Sequence, residues 1–105
     1  MYILTMENKL VELRKYSNPE IVVQRAIKLY GKNVDIRVSS RKNKKYMIYD
    51  PKKRQFIHFG SFNPPMEDYT KHGDEIRRMK FQIRNNRFAS ANKYSPAFNT
   101  YYLLW

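Results

Sequence analysis

His58 and His72 are the side chains best placed to move a proton or bind a transition metal near neutral pH, and Asp74 and Glu75 follow His72 closely. A site of two histidines and one carboxylate, or an acid–base pair, is chemically conceivable from these types. The surrounding sequence supports neither. It contains no HExxH, no glycine-rich phosphate loop and no nucleophile elbow. It contains no cysteine, which removes thiolate zinc ligands, disulfides and thiol nucleophiles. Asp68, Asp74 and Glu75 fit helix N-termini, where carboxylates are favoured. The expectation is a non-enzymatic protein with no cofactor and no metal. Its histidines would make hydrogen bonds, His58 at a sheet edge and His72 at a helix start.

The cations carry a stronger signal. Lys and Arg number 21 against nine acids, a formal charge of +12 in 105 residues. Such an excess opposes compaction and attracts polyanions. Arg41, Lys42, Lys44 and Lys45 fall in one connection, and Lys52, Lys53 and Arg54 in the next. Arg77, Lys80, Arg84 and Arg87 fall on one strip of a helix. Between the first two clusters, Tyr46, Ile48, Phe56 and His58 alternate with Met47, Tyr49, Ile57 and Phe59. One set faces helices and the other faces solvent or a partner. Aromatic rings flanked by lysines are how single-stranded nucleic acid is held, so Tyr46, Phe56 and His58 are the stacking candidates. The eleven cations are the phosphate-binding candidates, giving affinity with little sequence preference. The alternatives are a solvated charged surface, an anionic membrane surface, or a sheet that reads the major groove of a duplex.

These residues need elements to hold them. Residues 5–16 read as a helix capped by Thr5, with Met6, Leu10 and Leu13 on one face. Ser17, Pro19 and Glu20 read as a capping box opening a second helix, which Gly31 closes. Residues 34–38 alternate strictly, as a half-buried strand does. Residues 46–49 and 55–59 supply two more strands around a turn at Pro51. A helical turn is expected within 66–70, then a long basic helix from Gly73 or Asp74 to about Ala89. On that helix Ile76, Met79 and Ile83 form one seam, and Phe81 and Phe88 another, with the basic strip between them. The fold class is α+β: a small three-stranded antiparallel sheet packed with N-terminal helices and a long basic C-terminal helix.

Ser95-Pro96 restarts a helix or tail that ends in apolar residues. Such a tail must dock or remain a sticky patch. It either closes its own core or inserts Tyr101, Leu104 and Trp105 into a partner. No apolar run approaches the ~20 residues that span a bilayer, and the N-terminal residues do not make a signal peptide.

Several of these motifs occur together. Residues 41–51, Ile57-His58-Phe59-Gly60, Glu67 through His72, Arg77-Arg78, Tyr94-Ser95-Pro96 and the closing Leu103-Leu104-Trp105 resemble an uncharacterised family of small basic proteins encoded by nucleocytoplasmic large DNA viruses. The resemblance covers roughly residues 41–105, with 1–40 as a variable helical extension plus the first strand. The link from Gly60 to Glu67 is longer than that family's, and Gly73 stands where it has lysine. A looser likeness of layout, a strand ending in glycine and an aromatic before a helix, links Phe59 to Phe62 with plant-type and integrase-arm DNA-binding domains. The resemblance implies a viral origin, localisation to the virion and infected host cell rather than secretion, and nucleic acid as partner, DNA before RNA. The reading is one domain, 1–105, that binds nucleic acid with little sequence specificity. The alternative is a minor capsid or cement protein that bridges coat proteins, with oligomers an option.

Overall fold

Helix α1 (Glu7–Leu13) is the first element of the computed structural model, which describes residues 7–105. The expected cap at Thr5 and the place of Met6 lie outside the described residues. Leu13 is fully enclosed and Leu10 packs beside it. Helix α2 (Pro19–Tyr30) buries Val22, Val23 and Ala26 and ends at Gly31, whose φ of 103° excludes most side chains. Asn18, not Ser17, caps α2, its Oδ1 accepting from the Ile21 N–H at 3.4 Å. Ser17 is drawn away because its hydroxyl accepts from the buried Tyr46 phenol at 2.7 Å. Glu20, expected to complete the box, meets Arg14 instead at 2.5 Å.

Strands β1 (Ile36–Val38), β2 (Lys44–Asp50) and β3 (Gln55–Ser61) form an antiparallel sheet in the order β1-β2-β3. The turn between β2 and β3 is fixed by Asp50, whose Oδ1 accepts from the N–H groups of Lys52 and Lys53. Arg54 closes it in the left-handed region at φ 54°. That turn sets Asp50 opposite Gln55 and therefore the whole register. Tyr46 faces Phe59 and Ile48 faces Ile57, while Met47 faces His58 and Tyr49 faces Phe56. Tyr46 and Ile48 thus share a face with Ile57 and Phe59, not with Phe56 and His58 as expected from the alternation within each strand.

Ile36, Val38, Tyr46, Ile48 and Phe59 close against α1 and α2 from that inner face. Leu103 and Leu104 complete the same core from the C-terminal segment. More than half of this core comes from residues before Arg41, so the stretch read as an extension is structurally integral to the sheet.

Beyond β3 lie α3 (Tyr69–His72), α4 (Glu75–Arg84), a 3₁₀ turn at Asn86–Ser90, and α5 (Pro96–Asn99), which runs into a π-helical turn at Thr100–Leu104. The fold is α+β with a three-stranded antiparallel sheet, as expected. The long basic C-terminal helix is not present: α4 has ten residues, and the C-terminal helix α5 is short. Asn85 explains the early stop. Its side-chain amide joins its backbone N–H on the Phe81 carbonyl, each at 3.0 Å, its φ of −118° leaves the helical range, and a second asparagine follows. Asp74 starts α4 by accepting from the N–H groups of Ile76 and Arg77. Ser95 starts α5 by accepting from the Phe98 N–H at 3.2 Å.

Candidate nucleic-acid interface

The outer face of the sheet carries Arg37, Met47, Tyr49, Phe56 and His58, all half-buried and none packed into the core. Phe56 and Tyr49 meet edge-on with centroids 5.3 Å apart. The Arg37 guanidinium lies 5.0 Å from the Phe56 centroid while it grips Asp35 through two hydrogen bonds. His58 Nδ1 sits 2.6 Å from the Ser39 hydroxyl. Partial burial, with the nearby charges of Arg41, Lys9 and Lys44, pushes the imidazole below its ordinary value. The face is therefore aromatic, neutral at its histidine and within the field of loop cations.

Of the three stacking candidates, Phe56 and His58 lie on this outer face and Tyr46 does not. Tyr46 is fully enclosed, stacked on Phe59 at 5.8 Å, so it builds the core and meets no ligand. Met47, Tyr49 and Arg37 take its place. The alternation around residue 47 marks these residues as a set; only the register says which way the set points.

The cations split between the two ends of the sheet. Arg41 and Lys42 are exposed in the β1–β2 connection, and Lys44 is half-buried at the start of β2. Lys9 of α1, unremarked in the sequence, pins this connection by donating to the Ser39, Arg41 and Lys44 carbonyls. Lys52, Lys53 and Arg54 are exposed at the opposite end. With seven residues in β2, the two ends stand about 20 Å apart at the usual rise per residue.

Lys45 leaves the set of phosphate ligands. It is 2% exposed, and its ammonium donates to the Met66 carbonyl at 2.5 Å and to Asp68 at 3.0 Å. Burial lowers its pKa, and Asp68 opposes that shift. Asp68 in turn accepts from the Thr70 hydroxyl, which is within hydrogen-bond reach of Ser17, the partner of Tyr46. Asp68 is thus a buried counter-ion, although it also stands at the start of α3.

Arg77, Lys80 and Arg84 are exposed on α4 and rim a groove of about 310 Å³ whose walls include Gly60, Met66, Phe81, Leu104 and Trp105. Ser61, which pairs with Lys44, also lines it. The groove therefore sits at the same end of the sheet as the β1–β2 connection. Arg87 is exposed on the 3₁₀ turn. Only one of the two expected α4 seams packs: Phe81 stacks on Trp105 at 4.5 Å and 7°. Ile76, Met79 and Ile83 are exposed at 61%, 53% and 67%.

The partner-docking candidates are used within the chain. Leu104 is enclosed against Gly60, where a Cβ would come within 2.8 Å of its Cδ1. Trp105 lies against Phe81, and its backbone oxygen accepts from Arg78 Nε at 2.8 Å. Tyr101 is half-buried beside Phe81. His72 Nδ1 accepts from the Asp74 N–H at 2.9 Å, the expected role at a helix start. Among the described residues, no three His, Cys, Asp or Glu side chains gather as metal ligands. No helix among them is long and apolar enough to cross a membrane.

No curated protein and no solved structure matches this chain. Residues 34–85, spanning the sheet, α3 and α4, match a family of unknown function, DUF5754.

Proposed function

We propose that this protein binds nucleic acid without catalysing a reaction and with little sequence preference, laying a single strand across the outer face of the sheet. The observation that carries the reading is the open row of Tyr49, Phe56 and His58 with cation clusters at both ends. Stacking on aromatic faces is tolerant of base identity, and the cations supply phosphate contacts. The resemblance to small basic viral proteins extends the proposal to DNA in a virion.

The test is the affinity for a fluorescent single-stranded DNA across a salt series. Log affinity should fall steeply with log salt. Exchanging Tyr49 and Phe56 together for Ala should lower affinity by about tenfold or more, at ~1–3 kcal/mol per stacked base. Exchanging Lys52, Lys53 and Arg54 for Glu should flatten the slope by about 0.7 for every phosphate that is no longer neutralised. Affinity that ignores salt, or that survives both variants, removes the proposal.

His58 adds a pH dependence. In the free protein its pKa lies below the ordinary 6.5. A bound phosphate favours the imidazolium, so binding raises that pKa and takes up a proton. Affinity should therefore strengthen as pH falls from about 7.5 toward 6, and His58→Gln should flatten the trend measured in parallel titrations.

The second reading, a protein that bridges coat proteins, draws on the exposed row of Ile76, Met79 and Ile83. Weak binding to free DNA at physiological salt, with cross-links to coat proteins in intact particles, would favour it.

A further inference from the structure

The groove between α4 and the C-terminal segment combines an apolar interior with an unbalanced positive rim. Four cations line it, Lys45, Arg77, Lys80 and Arg84, against two carboxylates, Glu67 and Asp68. Lys45 and Asp68 satisfy each other inside the wall. Arg77 has Glu67 at 3.7 Å. Lys80 and Arg84, one helical turn apart, have no carboxylate partner among the described residues. Counted over side chains, the charge left over is about that of two cations, set along one rim.

Beneath that rim the walls are Met66, Phe81, Leu104 and Trp105, with Ser61 and Thr100 among them. The volume of about 310 Å³ stands at the lower end of small-molecule sites. A ligand matched to both features has a flat apolar body and a compact group near two negative charges. A carboxylate supplies one charge and an internal phosphodiester one. A phosphate monoester supplies ~1.5–2 near neutral pH, and a nucleobase supplies the flat body.

We infer that this groove binds a nucleoside monophosphate unit, the group presented by a phosphorylated strand end, with the phosphate at Lys80 and Arg84 and the base against the apolar walls. The choice of a nucleotide rests on the nucleic-acid reading above; the site itself does not include the outer sheet face. Arg77 joins the phosphate when it releases Glu67. Recognition is of the end of a strand, and the base is held by apolar contact, so its identity matters little.

Trp105 is the one tryptophan of the chain and lines the groove, so its emission reports occupancy. Thymidine 5′-monophosphate should change that emission saturably. Thymidine and inorganic phosphate, each alone at the same concentrations, should not. The double variant K80A/R84A removes two exposed side chains and should weaken the nucleotide at least tenfold with an unchanged melting curve. The Tyr49→Ala, Phe56→Ala variant should keep the full response. An emission that thymidine monophosphate leaves unchanged, with no shift of the Trp105 indole NMR signal, overturns the inference. So does an equal response to phosphate alone, tighter binding of an alkyl phosphate, or loss of the response in the sheet variant. A 5′-phosphorylated oligonucleotide that binds the sheet with a silent Trp105 would sink this inference and leave the preceding one standing. A nucleotide response without oligonucleotide binding would do the reverse.

Discussion

Asp68→Ala should lower the unfolding free energy by about 3–5 kcal/mol, the usual cost of stranding one member of a buried ion pair. Asp68 and Lys45 have side chains 1% and 3% exposed, so no solvent compensates the loss. The same substitution removes the acceptor of the Thr70 hydroxyl and loosens the chain of hydrogen bonds through Ser17 to Tyr46. Chemical denaturation of the variant beside the parent measures the effect. Its pH dependence identifies the cause. Burial already lowers the Lys45 pKa, and without Asp68 it falls further. The unfolded chain then binds the proton that the folded chain sheds, so the deficit should shrink as pH rises toward the lysine range. Replacing both members with apolar residues of similar volume should recover most of the loss, since such exchanges are often neutral or stabilising. A variant as stable as the parent would mean that the pair is solvated.

Leu104→Ala should cost about 2–5 kcal/mol, the range for truncating an enclosed leucine. Leu104 is 1% exposed and fills the space above Gly60, which at φ 80° carries no side chain to collapse into the gap. Val11 of α1 is 65% exposed and provides the contrast. Val11→Ala should change stability by no more than about 0.5 kcal/mol. Thermal unfolding of the two variants separates closure of the chain's own core from insertion into a partner. Insertion into a partner would leave the melting temperature of the isolated Leu104 variant where it was.

What can be read from the sequence follows the range of the interactions involved. Residues 34–38 declare a strand by alternation, and they are buried at every second position. Gly31 and Ser95-Pro96 mark helix boundaries by local chemistry and stand where expected. Lys45 reads as a surface cation because its counter-ion lies 23 residues away. Ser17 reads as a cap because its competing partners, Tyr46 and Thr70, are 29 and 53 residues distant. The outer face is half legible. Each strand announces two sets of side chains, but joining the sets across strands depends on the length of one turn. Asn85 and Asn86 are visible as poor helix formers, and the basic pattern that continues to Arg87 masks them.

Helix α4 contributes no fully buried residue and is held chiefly through Phe81 and Arg78. Its backbone can therefore open as a separate cooperative unit, at a free energy below that of global unfolding. Whatever occupies the cleft beside it would act as a clasp, ordering a segment that the rest of the described residues leave loosely tethered.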